Sequence, residues 1–364
     1  MFPTRAMTIL GGDSFRDEYS LAFDGTDDNI RIPEIEYSVH DADFSFVFWC
    51  KRNATGVIHT VLGSTATNGS RHIRFESNDK LQIESDTGGD NATGTLIVTD
   101  TNWHHYAVIV SSGTVTMYQN GIVCSVANNV GDNNLTINTI AGQGTNGTVN
   151  EFDGNISEIA VYNIALSSSQ VKQIYNGREP FDHKNWSKAG NLTQWWRMGD
   201  GRYDKYFTSN GLINDEASPT LGAQLHSSFT NADFDSHSVD GTGFTAANTT
   251  PSSNENNQSA ISCTAGKIYK VFYNATINSG ATPKVEVSTN TGLSGTDAYS
   301  QSITTGGTEF VFQASASTMY LGFRSPTAAA TNFTVADSVT VQEVGGNAGE
   351  VVNMDASDFV GETP

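Results

Sequence analysis

Short apolar runs, broken at close intervals by Gly, Asn, Asp and Ser, leave this chain few folds to choose from. Phe44-Ser45-Phe46-Val47-Phe48-Trp49 is an unbroken aromatic run of strand length, the composition of a sandwich-core strand. His105 to Val110 and Thr114 to Tyr118 read as strands joined by the Ser112-Gly113 turn. Asn120-Gly121 then marks a type I′ hairpin into Ile122-Val123-Cys124. Ile73 to Phe75, Leu81 to Ile83, Leu96 to Val98 and Ile156 to Tyr162 continue the pattern. Turn residues recur every 8 to 12 positions, the spacing of a sandwich or jelly roll. One helix interrupts it. Ser167 with Gln170 three residues on forms a capping box, Val171, Ile174 and Tyr175 share one helical face, and Asn176-Gly177 supplies the stop.

At 364 residues the chain is too long for one ordinary domain and suits two. Beyond a tryptophan-rich stretch the strand signals resume: Ile268 to Tyr273, Lys284 to Val287, Glu309 to Phe312, Met319 to Phe323 and Val339 to Val341. The expected organisation is an all-β chain. Residues 1–14 form an N-terminal arm, 15–182 a jelly roll, 183–218 a Trp-rich connector, 219–345 a second, smaller β-sandwich and 346–364 a polar C-terminal tail. The arm and tail hold too little apolar surface to fold alone. The tail therefore either docks on something or is disordered; both segments read as anchoring segments, and removal of the tail is expected to leave the jelly roll folded.

Charge narrows the partners. With 19 Lys+Arg and 39 Asp+Glu the net charge is −20, the wrong sign for a nucleic-acid or anionic-membrane binder. Charged residues make up only 16%, below the roughly 25% of an average domain, so Asn, Ser, Thr and Gly supply the polar surface. No run approaches the ~18 apolar residues of a membrane span, and the first residues lack the apolar stretch of a signal peptide. Cys50, Cys124 and Cys263 are an odd count without paired spacing, which indicates neither a disulfide framework nor a zinc site. The composition is extracellular in style, without the marks of secretion.

The order of segments resembles a known family. Ser20-Leu21-Ala22-Phe23-Asp24-Gly25-Thr26-Asp27-Asp28 is similar to the opening strand and acidic turn of laminin-G-like (concanavalin A-like) jelly rolls. Phe44 to Trp49, Asn102-Trp103-His104-His105-Tyr106, Met117-Tyr118-Gln119-Asn120-Gly121 and Phe152 to Asn163 follow in that family's order. Asn191 to Gly201 and Asn353 to Pro364 are similar to segments of laminin-G-like virion proteins of marine tailed phages. Leu225 to Val344, opening on Asn231-Ala232-Asp233-Phe234-Asp235, resembles a carbohydrate-binding-module-like sandwich inserted between them. The resemblance implies a virion structural protein: a capsid decoration, fibre or tail-associated component that adheres to host-surface glycans. Its partners would be other virion proteins and further copies of itself, although no heptad supports trimerisation. Such a protein is assembled in the host cytoplasm and exposed on the released particle, which suits a chain without leader or disulfides. A free bacterial carbohydrate-binding protein is the alternative, and a β-glucanase-type glycoside hydrolase the third reading.

Candidate sites follow. Asp24, Asp27 and Asp28 share one turn, and calcium favours clustered carboxylate oxygens. The resemblance implies a structural calcium near this strand and near Asp153, so Asp27, Asp28 and Asp153 are the expected ligands, with a plain β-turn as the competing reading. Asn231-x-Asp233-x-Asp235 lacks the glycine and closing glutamate of an EF-hand. Trp195, Trp196 and Tyr203 could stack on sugar rings, or the tryptophans could instead cover the base of the first sandwich. Glu151, Asp153 and Glu158 come near the spacing of a glucanase strand, but the offset of seven puts the glutamates on opposite faces unless a bulge intervenes. His104 and His105 point to opposite faces of one strand. No catalytic residues are expected, and no nucleophile elbow, P-loop or Cys/His cluster is present.

Overall fold

The computed structural model describes residues 15–65, 71–85, 91–128, 134–201, 205–206, 211–213, 215–217, 220–249, 256–293, 297–325, 329–345 and 349–364. The arm expected over residues 1–14 lies outside them. Residues 1–218 and 347–364 form one compact unit, and residues 219–346 a second.

The first unit opens with β1 (Ser20–Asp24), β2 (Asn29–Ser38), β3 (Phe44–Arg52), β4 (His59–Gly63), β5 (His72–Phe75) and β6 (Lys80–Glu84). It continues with β7 (Asn91–Ile97), β8 (His104–Ser111), β9 (Thr114–Gln119), β10 (Ile122–Asn128), β11 (Asn134–Ile140) and β12 (Asp153–Tyr162). Helix α1 (Ser168–Tyr175) precedes β13 (Leu192–Trp196), β14 (Lys205–Tyr206) and β15 (Gly211–Ile213). Strands β10-β9-β8-β3-β12-β1 lie in that order in one sheet, with β13 following β1 along the same edge of β12. Both hairpin turns read from the sequence have left-handed backbone at their two central residues: Ser112 and Gly113 at φ 46° and 79°, Asn120 and Gly121 at 50° and 76°. That is the type I′ geometry that matches strand twist.

The unbroken run in β3 is explained by burial on both faces. Phe44, Phe46, Phe48 and Cys50 enter the core between the two sheets, whereas Val47 joins Ala107, Ala160 and Tyr162 on the outer face. Helix α1 covers that outer face with Val171 and Ile174. Its capping box forms as the sequence predicts, with Gln170 N donating to Ser167 Oγ and Ser167 N to Gln170 Oε1, and Asn176 ends it in left-handed conformation. Ser45 pins the approach to the helix: its Oγ donates to Ile164 O at 2.7 Å and accepts from Leu166 N at 3.0 Å.

The second unit comprises β16 (Thr220–Leu221), β17 (Thr230–Asn231), β18 (Ser236–Asp240), β19 (Gly243–Asn248), β20 (Asn256–Ser262) and β21 (Ile268–Gly280). Then come β22 (Lys284–Ser288), β23 (Asp297–Ser302), β24 (Gly306–Gln313), β25 (Thr318–Arg324), β26 (Thr331–Val335) and β27 (Thr340–Gly345). A sheet ordered β16-β27-β21-β26-β19-β18, with β24 also on β21, accompanies a sheet ordered β17-β20-β25-β22-β23. Their core is an aromatic cluster in which Phe323 meets Phe229, Phe244 and Tyr273 with ring centroids 5.3–5.6 Å apart.

The chain then returns to the first unit as β28 (Gly349–Val352) and β29 (Phe359–Val360). Strand β28 lies between β15 and β2 in the second sheet, ordered β14-β15-β28-β2-β11-β4-β5-β6-β7, and β29 pairs with β1. One expectation is corrected here. The stretch 183–218 is no connector, because β13 is hydrogen-bonded to β12 and carries Trp195 and Trp196 into two cores. Of the two outcomes open to the tail, it docks, with Val351 and Met354 buried in the jelly-roll core. Each segment is too poor in apolar residues to fold alone, and each completes a sheet whose other strands lie far away in sequence.

Candidate functional site

The acidic turn between β1 and β2 gathers Asp24, Asp27 and Asp28, whose ligand oxygens lie within 4.8 Å of one another. Gly25 makes the turn possible: its φ is +70°, and a Cβ there would sit 2.7 Å from Cβ of Asp153. The turn is held from within. Asp24 Oδ1 accepts from Thr26 N at 2.8 Å, and Asp28 Oδ2 accepts from Asp24 N at 3.0 Å. Asp28 is only 4% exposed. Burial pushes its pKa up to about 7, with the charges of Asp24, Asp358 and Asp27 adding to the rise.

Asn29 extends this arrangement. Its Nδ2 donates to Asp27 O at 3.1 Å and to Asn146 O at 3.4 Å, and Asn353 Nδ2 donates to the same Asp27 carbonyl. Its Oδ1 is buried and has no hydrogen-bond partner. Three clustered carboxylates, one of them buried, beside an unpartnered amide oxygen are the donor chemistry of a hard divalent cation. Asp153, the third residue expected beside Asp27 and Asp28, stands opposite Asp24 on the neighbouring strand, where its Oδ1 accepts from Asn53 Nδ2 at 2.8 Å; the cluster itself is made by Asp24, Asp27 and Asp28.

Asn146 also belongs to a cleft of about 370 Å³ lined by Arg31, Ile32, Thr65 and Asn138. Asn138 and Thr65 hold each other in a reciprocal pair: Thr65 N donates to Asn138 Oδ1, and Asn138 Nδ2 to Thr65 Oγ1, both at 2.8 Å. Asn138 sits where the β11–β2 register shifts between Ile137 and Thr139, a bulge that re-aims a side chain. Nothing in the sequence marks this cleft. Its residues come from separate strands and loops, and Asn and Thr are abundant everywhere.

The tryptophans expected to stack on sugars do not. Trp195 is 2% exposed and Trp196 fully buried, because adjacent residues of β13 enter opposite cores. The Trp195 ring stacks on Phe15 at 5.7 Å, and its Nε1 donates to Glu158 Oε2 at 2.6 Å. The covering role weighed against stacking is the observed one. Tyr203 lies outside the described residues.

The glucanase spacing resolves differently from a simple alternation. A bulge does intervene: the β12–β3 register shifts between Ser157 and Ala160, and Glu158 carries φ +52°. Glu158 then accepts from Arg197 Nε at 3.0 Å as well as from Trp195, so both oxygens are engaged. Asp153 lies five residues earlier, roughly 17 Å of strand rise, whereas paired glycosidase carboxyls stand about 5–9.5 Å apart. In the second unit Asn231, Asp233 and Asp235 are each used locally, bonded to the Phe234 backbone, to Asn256 Nδ2 and to Thr249 respectively. Among the described residues the acidic turn is the one cluster with metal-ligand spacing.

Residues 24–172 match the laminin-G-type family described as the concanavalin A-like lectin/glucanases superfamily. No curated protein matches the chain. Among solved structures, a Bacteroides ovatus protein described as carbohydrate-binding aligns at 18% identity and TM-score 0.42, covering 56% of each chain, so this chain spans little more than half its length. A heptameric SAP-like pentraxin from Limulus polyphemus aligns at 15% and 0.35, covering 44% of this chain and 82% of that one. The CBM40 of a Ruminococcus gnavus sialidase aligns at 13% and 0.32, covering 40% and 97%. Over residues 24–172, therefore, this nearly all-β protein carries a concanavalin A-like jelly-roll domain.

Proposed function

We propose that this chain is a non-enzymatic, carbohydrate-binding structural protein of a tailed-phage particle, reading glycans at the rim of its jelly roll. The carrying observation is the link, through Asn29, between the acidic turn and the cleft of Arg31, Thr65, Asn138 and Asn146. Sugar hydroxyls both donate and accept, and the cleft offers a guanidinium, amides and a hydroxyl above the apolar Ile32. The mutual Asn138–Thr65 pair fixes those groups beforehand, which lowers the ordering cost of binding. Asp24, Asp27 and Asp28 would hold a calcium ion. Bound there, it would neutralise the buried carboxylate and stiffen the turn that carries Asn29.

The particle role rests on the resemblance of Asn191–Gly201 and Asn353–Pro364 to virion segments. Both belong to the jelly-roll unit and flank the inserted sandwich. Three unpaired thiols, one of them buried, suit assembly in a reducing compartment. A glycan array probed with and without chelator tests the adhesive reading. Retention of a glycan that is lost in Arg31→Ala and Asn138→Ala is expected. No retained glycan, or retention indifferent to both variants, refutes it. Side-chain-resolution electron microscopy of purified particles tests the location separately, and absence of the chain would remove the virion role while leaving adhesion standing.

A further inference from the structure

The outer face of the eight-stranded sheet, away from the rim, holds a cavity of about 270 Å³ under α1. Trp49, His105 and Glu158 rise into its wall from the adjacent strands β3, β8 and β12. Asp17, Arg178 and Phe181 close other sides. His105 is 1% exposed, and neither of its ring nitrogens has a hydrogen-bond partner. The ring is steered by its neighbours, with Trp49 at 5.2 Å and Tyr175 at 6.0 Å between centroids. Burial pushes its pKa down to about 3, so the imidazole is neutral and offers one donor and one acceptor. A phenylalanine would fill this space without leaving two buried polar atoms unmet.

Glu158 is already engaged by Arg197 and Trp195. Burial first, and then the charge of Glu158, push the Asp17 pKa up. Arg178 and Glu179 bring opposite signs to the lining loop. A group that both donates and accepts would satisfy His105, and hydroxyls do both. At ~30 Å³ per water the space holds about nine waters, or one hexose-sized molecule against the Trp49 ring.

We propose that this cavity is a second binding site, distinct from the rim cleft, for a neutral, hydroxyl-rich molecule of single-sugar size hydrogen-bonded by both ring nitrogens of His105. The test is a thermal-shift and titration series on the full chain. The probes are neutral monosaccharides (glucose, galactose, mannose, N-acetylglucosamine) and glycerol, with choline and acetate as charged controls. At least one neutral probe should raise the melting temperature of the wild type. His105→Phe should bind it roughly tenfold or more weakly, the worth of about two hydrogen bonds, while melting no lower than the wild type without ligand. Glycan retention by the rim cleft should persist in His105→Phe, which separates this site from the rim. Ring ¹⁵N shifts of His105 in the wild-type chain, moving when probe is added, give a readout independent of any variant. Binding by glycerol as well as a sugar identifies the vicinal diol as the recognised group, and binding by sugar alone identifies the ring. The proposal falls if no neutral probe binds, if His105→Phe binds equally or melts well below the wild type, if the His105 ring ¹⁵N shifts do not move with probe, or if choline or acetate binds in preference.

Discussion

The two units are both antiparallel sandwiches, yet they differ in where their buried charges sit. The inserted unit has a closed aromatic core, and its fully buried carboxylate, Glu286, has Oε1 met by Arg324 at 2.6 Å and Ser300 at 3.0 Å, while Oε2 lacks a hydrogen-bond partner. The jelly roll buries Asp28 among other carboxylates, Glu158 at a left-handed bulge, and His105 with both nitrogens unmet. Local rules are broken where a sequence serves something besides folding. Both interiors keep unmet polar atoms, Glu286 Oε2, Asn248 Nδ2 and Ser338 Oγ among them in the inserted unit, and the jelly roll is set apart by its bulge at Glu158 and by Asp28 among carboxylates. The inserted sandwich, a compact unit with its own two sheets, should be a self-sufficient fold.

Self-sufficiency should show first on deletion. The insertion hangs from two paired strand ends, Ile213↔Gly349 in the jelly roll and Thr220↔Gly345 in its own sheet. Excising 219–346 behind a short Gly/Ser linker should leave the jelly-roll melting temperature within a few degrees of the full chain. Removing 347–364 should do the reverse. Val351 and Met354 together contribute about 3–6 kcal/mol of burial, and the β28 pairings go with them, against a typical total of about 5–15 kcal/mol. Calorimetry of both shortened chains decides. A tail-less chain with an unshifted jelly-roll transition would show that the tail is an appendage after all.

Next in size come the buried ion pairs. Arg197 holds Glu158, donates to the carbonyls of Asp200 and Arg16, and lies over the Phe15 ring at 4.4 Å. Arg197→Ala strands a buried carboxylate and releases the segment before β1, a loss of about 3–5 kcal/mol. In the inserted unit Arg324 is 21% exposed and Ser300 still donates to Glu286, so Arg324→Ala should cost about 1–3 kcal/mol. Denaturant melts followed by a probe in each unit compare them. Equal losses would erase the contrast between the two interiors.

How legible each interior is in the sequence follows from the range of the interactions that build it. Period-two burial, glycine turns and the Ser167 capping box are local, and they place β3, β8, β9, β12 and α1 within a few residues. Leu96–Val98 reads as a strand, but the strand runs from Asn91 to Ile97, since Gly94 in its middle hides the pattern. Pairings that join residues 20 and 360, or 30 and 351, have no local signature, so β28 and β29 read as a tail. The acidic turn is visible as Asp24, Asp27 and Asp28. That Asp24 closes this cluster while Asp153 faces it from the neighbouring strand is not visible, because adjacency across strands has no local signature. The Glu158 bulge, the Asn138–Thr65 pair and the orphaned His105 depend on register, which composition does not encode.

The acidic turn gives a pH test of intermediate size. Asp28 has a reference pKa of 3.8 and a folded value raised to about 7. A raised carboxylate binds its proton more tightly when folded, so its stabilisation is complete below pH ~4 and is lost as pH rises toward 7. A calcium ion held by the turn, as proposed, would compete with that proton for the same oxygens. Added calcium should therefore raise the jelly-roll melting temperature at pH 8 and do little at pH 5, with the inserted unit unmoved at both. Asp28→Asn should abolish the calcium shift and, without calcium, stabilise the jelly roll at pH 8 relative to the wild type. Equal calcium shifts at pH 5 and 8 would remove Asp28 from the ligand set.

The smallest expected effect concerns the lid of the outer face, for which the inserted unit has no counterpart, since α1 is the one α-helix among the described residues. The eight residues of α1 are too few to be stable alone. The helix persists because Val171 and Ile174 are buried on the sheet, and because Ser167 closes its first turn. Ser167→Ala removes the cap for about 1 kcal/mol, too little to unfold the jelly roll. It is enough to loosen the first turn of the cover over Trp49 and His105. Amide exchange in α1 should accelerate about fivefold, while exchange in β3 and in every strand of the inserted unit stays as it was. If β3 amides accelerate equally, the helix and sheet open as one body, and the outer cavity is reached only by global unfolding.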